Sequence, residues 1–313
     1  MKIGFLFPGQ GSQTVGMGKD LYENYEIVRE IYDKAEEITK IPIKKLSFEG
    51  PEEELNKTQN TQLAILTMSL AITKLLETEG IKADISAGLS LGEYSALINS
   101  KAITIEDGLK IVKARGKYMQ ELCPKGDWKM AAIMGLTEEQ VNEGISKVKS
   151  GFVKAVNFNT EGQIVLSGET KAIEEACTYL KEMGAKRALP LNTAGPLHTE
   201  KLIESSKALR EELEKYTFNK FESKVIKNLT GDTYYSDEDN IKEILAEHII
   251  KPVQFKKTLK KMLEEGIDTF IEIGPGKTLS GFLKRIETDK EIKILNISNV
   301  ETYKNTLSIL KGE

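Results

Sequence analysis

A chain of 313 residues with 40% hydrophobic content carries enough apolar mass for one large core, or for a core with a subdomain, and is not disordered. Its 44 basic and 48 acidic residues are intermixed and leave a net charge of −4. That balance excludes nucleic acid as a general partner and confines any basic docking surface to a local patch. The two cysteines, Cys123 and Cys177, stand in neither metal-ligand nor redox spacing, so a metal centre and a disulfide are not expected. Residues 1–9 hold one lysine and an apolar run too short for a signal peptide or a membrane span. These features predict a cytoplasmic protein without membrane contact.

In chain order, the stretch 2–7 is apolar after Lys2 and stops at Pro8-Gly9-Gln10-Gly11, which reads as a buried strand and a tight turn. The glycine-rich loop lacks both the Lys-Ser/Thr of a phosphate loop and the spacing of a dinucleotide fingerprint. Residues 21–39 and 60–79 carry apolar side chains at helical spacing and are predicted to be core helices. Within residues 84–96 a short apolar run reaches Gly88, a helical run begins near Leu91, and Ser90 lies between them. Thr104 with Asp107 three residues later predicts a helix start, and the helix runs through Arg115 and Met119 to Leu122.

Residues 128–191 change rhythm: strand 129–134, helix 137–148, strands 152–157 and 163–167, helix 170–183, strand 187–191. This β-α-β-β-α-β order is the split ferredoxin-like unit. It predicts a small α+β domain over residues 127–194 inserted in a larger α/β domain formed by 1–126 and 195–313. Cys123-Pro124-Lys125-Gly126 and Asn192-Thr193-Ala194-Gly195-Pro196 are the predicted hinges. After Thr199 come a helix to about 215, a strand at 225–229, and two helices parted at Lys251-Pro252. A strand at 269–273, the turn Gly274-Pro275-Gly276, a helix, a strand at 292–297 and a last helix complete the chain.

Gly88-Leu89-Ser90-Leu91-Gly92 has the pattern of a nucleophile elbow. A strand that turns directly into a helix cramps the serine backbone, and side chains at the flanking glycines would strike neighbouring main chain. Free N–H groups at the helix start can then stabilise an oxyanion. Taken alone, the same pattern also describes a serine in an ordinary glycine-rich turn. A serine nucleophile needs a base, and the chain has two histidines. His248 shares a helical face with Ile244 and Leu245 and reads as a core histidine. His198 lies in the breaker-rich Ala-Gly-Pro-Leu-His-Thr-Glu loop, where a catalytic group can stay accessible, and is the preferred base.

Seven blocks, in order, carry a specific resemblance: Phe7 to Gln13, Thr61 to Ala64, Gly88 to Tyr94, Arg115 to Gln120, Asn157 to Asn159, Gly195 to His198, and Gly274 to Lys277. The set resembles the malonyl-CoA:acyl carrier protein transacylases, and also the acyltransferase domains of polyketide synthases. The resemblance implies an α/β-hydrolase-like large domain with a parallel sheet core, a ferredoxin-like small domain, and ping-pong transfer of malonyl from malonyl-CoA to acyl carrier protein. It implies no cofactor beyond the phosphopantetheine that the partner carries. Residue by residue, it makes Ser90 the nucleophile and His198 the base. The N–H groups of Gln10 and Leu91 become the oxyanion hole, and Arg115 becomes the partner of the malonyl carboxylate. Gln62, Met119 and Asn159 fall near the acyl pocket or the coenzyme A arm, and His248 falls in the segment that orients the base.

Three positions depart from the family pattern. Leu89 replaces a histidine, His248 replaces a glutamine, and Leu197 precedes the base where an aromatic or small residue is commoner. The alternatives are a polyketide-type acyltransferase, an acyl hydrolase, which Arg115 disfavours, and an idle scaffold, which Ser90 and His198 together disfavour. For an acidic carrier, the basic pairs Lys186-Arg187 and Lys284-Arg285 are candidate contacts, with Lys256-Lys257 and Lys260-Lys261 as a competitor.

Overall fold

The computed structural model describes residues 1–191 and 195–312. Its nine strands are β1 (Ile3–Phe7), β2 (Ile85–Gly88), β3 (Trp128–Met134), β4 (Val153–Thr160), β5 (Gln163–Glu169), β6 (Arg187–Leu191), β7 (Lys224–Val225), β8 (Thr269–Ile273) and β9 (Lys293–Ile297). Five form a parallel sheet in the order β7-β2-β1-β8-β9. The central β1 is buried at every residue, which is why it reads as an unbroken apolar run rather than an alternating one. Its pairing sets Phe7 opposite Gly88. The loop after β1 and the turn after β2 therefore emerge side by side at the carboxyl edge of the sheet.

The other four strands form an antiparallel sheet in the order β4-β5-β3-β6, covered on one face by the helices Glu138–Ser146 and Thr170–Glu182. Strand alternation divides the work. Ala131 and Ile133 pack with Val141, Ile173 and Leu180 in a core of their own, whereas Met130 and Val165 join the main core from the opposite face. This is the ferredoxin-like arrangement beside a parallel-sheet α/β core.

Backbone bonds tie β4 of the small sheet to the segment before the helix Phe255–Glu264, outside either sheet. Phe158 N–H donates to the Val253 carbonyl (2.9 Å) and Val253 N–H to the Val156 carbonyl (2.8 Å). Gln163 Oε1 accepts from Arg285 Nη1 at 2.6 Å, and Glu161 at the tip of the β4-β5 hairpin pairs with Lys256 and Lys260. Arg285, Lys256 and Lys260 thus make contacts across the seam, although Arg285 and Lys260 are exposed, as are Lys186, Arg187 and Lys284. No helix among the described residues is long and apolar enough to cross a membrane.

Two expectations are corrected, and two short helices were not foreseen. Residues 21–39 are not one helix but Lys19–Asn24 and Glu26–Thr39, broken where Tyr25 is extended (φ −129°, ψ 125°) with its ring against Tyr303. The apolar phase carries across that break, so periodicity does not reveal it. The strand expected at 225–229 ends at Val225, because Asn228 turns its side chain into the elbow. The short helices Ile43–Phe48 and Glu52–Leu55 had no readable period. Of the second predicted hinge, residues 192–194 lie outside the described residues.

Candidate active site

Ser90 stands between β2 and the helix Gly92–Asn99 with φ 52°, in the left-handed region that a side chain tolerates poorly. Both flanking glycines are required. A Cβ on Gly88 would lie 1.9 Å from the Gly92 carbonyl carbon, and one on Gly92 would lie 2.0 Å from the Phe7 carbonyl oxygen. A third device, not read from the sequence, holds the turn. Asn228 Oδ1 accepts the Ser90 N–H at 2.8 Å, and Asn228 Nδ2 donates to the Gly88 carbonyl at 2.6 Å. The Gly92 N–H is taken by the Leu89 carbonyl. Between these two engaged amides sits the N–H of Leu91, which lines the cleft.

His198 is brought to Ser90 across 108 residues, with Nε2 2.8 Å from Oγ. Its backbone is also left-handed, at φ 58°, and its side chain is 3% exposed. Nδ1 lies 2.9 Å from the main-chain carbonyl of His248. A carbonyl only accepts, so Nδ1 carries the proton and Nε2 presents a lone pair to the serine hydroxyl. Burial, and then the nearby His248 and Arg115, hold the His198 pKa well below the usual imidazole value. At neutral pH it is an unprotonated base.

Arg115 and Met119 lie one turn apart on the helix Ile105–Glu121, whose Thr104 hydroxyl oxygen accepts the Asp107 N–H at 3.1 Å. They face Gln62 on the helix Thr58–Thr78, which is buried on nearly every side and carries its polar residues inward as well. The Arg115 guanidinium donates to Gln62 Oε1 (2.7 Å) and Ser90 Oγ (3.2 Å), and sits 5.4 Å from the Tyr94 ring centre. Gln62 Nε2 lies 3.5 Å from Met119 Sδ. Arg115 is 1% exposed, both hydrogen-bond acceptors are neutral, and its Nε is unpartnered among the described residues. Burial lowers its pKa and raises that of Tyr94 to about 12.

These groups line a cleft of about 450 Å³ between the two sheets. Ser90, His198, Gln10, Leu91, Arg115, Gln62, Met119 and Asn159 all contribute to it. Asn159 is buried with an unpartnered Oδ1 among the described residues, and Gln10 is tied to Thr58 through its side chain. His248 alone of the candidates is not in the wall; it lies beneath, offering its carbonyl. Leu89 and Leu197, two departures from the family pattern, also line the cleft. Besides Asn228, Glu93 and Tyr235 form part of the buried support and were missed. The available signal was Glu93 itself, a charge at the start of an otherwise apolar helix.

The arrangement can deprotonate a serine, accept an acyl group and shelter a carboxylate beside it. A family model for the acyl transferase domain matches residues 4–300. The malonyl CoA-acyl carrier protein transacylase of Bacillus subtilis (strain 168) is 41% identical over 314 residues, covering 100% of this chain and 98% of the relative. The chain belongs to this acyltransferase family. The Escherichia coli (strain K12) transacylase is 40% identical over 297 residues, covering 94% of this chain and 96% of its own. Among solved structures, the Clostridium perfringens transacylase superposes with a TM-score of 0.93 at 46% identity, covering 100% of this chain and 98% of that one. A malonyl-transacylase solved in complex with a type II polyketide synthase acyl-carrier protein gives 0.93 at 33% identity, with both chains fully covered.

Proposed function

We propose that this enzyme transfers malonyl from malonyl-CoA to the phosphopantetheine thiol of an acyl carrier protein, through a malonyl ester on Ser90, in the supply of fatty acid synthesis. In the first half, His198 Nε2 takes the Ser90 proton as Oγ attacks the thioester carbonyl. The N–H groups of Gln10 and Leu91 receive the oxyanion. Collapse of the adduct expels coenzyme A, whose thiolate takes the proton back from His198. In the second half the carrier thiol gives its proton to His198, its sulfur attacks the malonyl ester, and Ser90 leaves reprotonated. Arg115 holds the malonyl carboxylate throughout, with Gln62, Met119 and Asn159 shaping the acyl pocket and the approach of the pantetheine arm.

The observation that carries the malonyl assignment is Arg115: a buried cation with neutral acceptors, directly beside the nucleophile. Burying a charge without an anion is costly, and an incoming carboxylate offsets that cost. We further assign residues 127–194 as the small domain, 1–126 with 195–313 as the large one, and the cytoplasm as the location. Intact mass after malonyl-CoA tests the reading: an adduct is expected on the wild-type protein, absent in Ser90→Ala, and discharged onto added carrier protein. Discharge to water at the same rate without carrier identifies a hydrolase instead, and no adduct at all refutes the reading.

A further inference from the structure

Glu93 is fully buried, at the first turn of the helix that follows the nucleophile, and it does not line the cleft. Removing a carboxylate from water is expensive, and an apolar side chain in the same place would avoid the cost. Its ties lie far away in the chain. Oε1 accepts the Asn228 N–H at 2.8 Å and the Tyr235 hydroxyl at 3.0 Å. Oε2 lies 2.6 Å from Nδ1 of the fully buried His248 ring, an approach too bent for a directed hydrogen bond and therefore a contact between charge and imidazole.

Each of the two segments so held touches one half of the dyad. Asn228 clamps the peptide units on both sides of Leu89, through the Gly88 carbonyl and the Ser90 N–H. His248 lends the carbonyl that orients His198. We propose that Glu93 is a positioning residue, and that its single buried carboxylate sets the Ser90–His198 distance by anchoring Asn228 on one side and His248 on the other. The 2.8 Å separation of Oγ and Nε2 depends on both anchors, and a displacement of about 1 Å at such a pair costs on the order of 100-fold in rate. Glu93 makes no hydrogen bond or ion pair with Arg115 and acts on that guanidinium only through its field, so the main effect falls on the chemical step rather than on binding. The inference rests on the proposed malonyl transfer.

Single-turnover acylation by malonyl-CoA, read as the rate at saturation and the half-saturating concentration, tests it in wild type, Glu93→Ala, Glu93→Gln and Tyr235→Phe. Glu93→Ala is expected to slow the saturated rate ~100-fold with half-saturation within ~3-fold of wild type. Glu93→Gln keeps an oxygen for Asn228 and Tyr235 and is expected to recover at least ~10-fold of that loss. A wild-type rate in Glu93→Ala, a parallel change in rate and half-saturation, or no recovery by glutamine would overturn the inference. If Glu93→Ala does not fold, Tyr235→Phe decides: a several-fold slower rate at unchanged half-saturation supports the anchor, and a wild-type rate refutes it. Failure of the wild-type protein to acylate at all would instead sink the malonyl-transfer reading.

Discussion

Replacing Arg115 separates substrate selection from the acyl-transfer machinery. The guanidinium makes two hydrogen bonds that bear on the outcome, to Gln62 Oε1 and to Ser90 Oγ, and has no carboxylate partner within ion-pair distance among the described residues. Loss of the bond to Oγ affects every acyl donor alike and is worth about 1 kcal/mol, roughly fivefold. Loss of the contact to a malonyl carboxylate is different, because truncating one member of a buried charged pair costs about 2–5 kcal/mol. At 1.36 kcal/mol per decade, that is roughly 30-fold to 5,000-fold, and it falls on malonyl alone. Arg115→Ala should therefore lower kcat/KM for malonyl-CoA by at least ~100-fold and for acetyl-CoA by less than ~10-fold. Arg115→Met, which restores most of the volume without charge, should show the same selectivity. Competition between malonyl-CoA and acetyl-CoA, scored by the mass of the acyl-enzyme, reads the ratio directly. A parallel fall for both donors would refute the reasoning and make Arg115 a structural residue.

His198→Ala should slow acylation by ~10²–10⁴-fold, whereas His248→Gln, which keeps the main-chain carbonyl, should cost far less; equal losses in folded variants would contradict the assignment of the base. Because the His198 pKa is depressed in the folded state, acylation should hold down to about pH 6.5 and fall only as pH drops through the lower folded value. The sign is the same for stability: below pH ~6.5 the unfolded chain binds the His198 proton more readily than the folded one, so stability declines towards the folded pKa. An acid limb above pH 6.5 would contradict the burial argument. Gly88→Ala should destabilise by more than about 2 kcal/mol and abolish the Ser90 adduct, because the added carbon would sit 1.9 Å from Gly92; calorimetry and intact mass check both.

What was legible in the sequence is what local chemistry writes locally. The Gly-x-Ser-x-Gly turn, the Thr104 cap and the six-element rhythm of residues 128–191 each appear where expected, since each depends on neighbours a few residues apart. The base was legible by elimination between two histidines. Not legible were contacts whose partners lie more than a hundred residues away. Asn228 sat in an apolar run and read as strand, although its side chain reaches Ser90 across 138 residues. Tyr235 carries no local mark at all, yet its hydroxyl meets Glu93 across 142 residues. The break at Tyr25 was hidden for the opposite reason, because a helix can stop and restart without losing its apolar phase.

Ser90 and His198 share one feature that neither sequence motif explains by itself: both have left-handed backbones, at φ 52° and 58°. Such a conformation costs about 1–3 kcal/mol for a residue with a side chain and persists only where the surroundings leave no alternative. For Ser90 the surroundings are two glycines that admit close main-chain contact and an asparagine that bonds the two peptides on either side of Leu89. For His198 they are the Thr199 hydroxyl bonded to the Pro196 carbonyl, and the His248 carbonyl at Nδ1. A relaxed backbone at either position would turn its side chain away from the other. The 2.8 Å dyad is therefore held by strain on both sides, and the buried carboxylate of Glu93 belongs to the same scaffold because it is bonded to Asn228 and packed on His248. That explains why the support lies behind the cleft, where substrate exchange between coenzyme A and a carrier protein leaves it undisturbed.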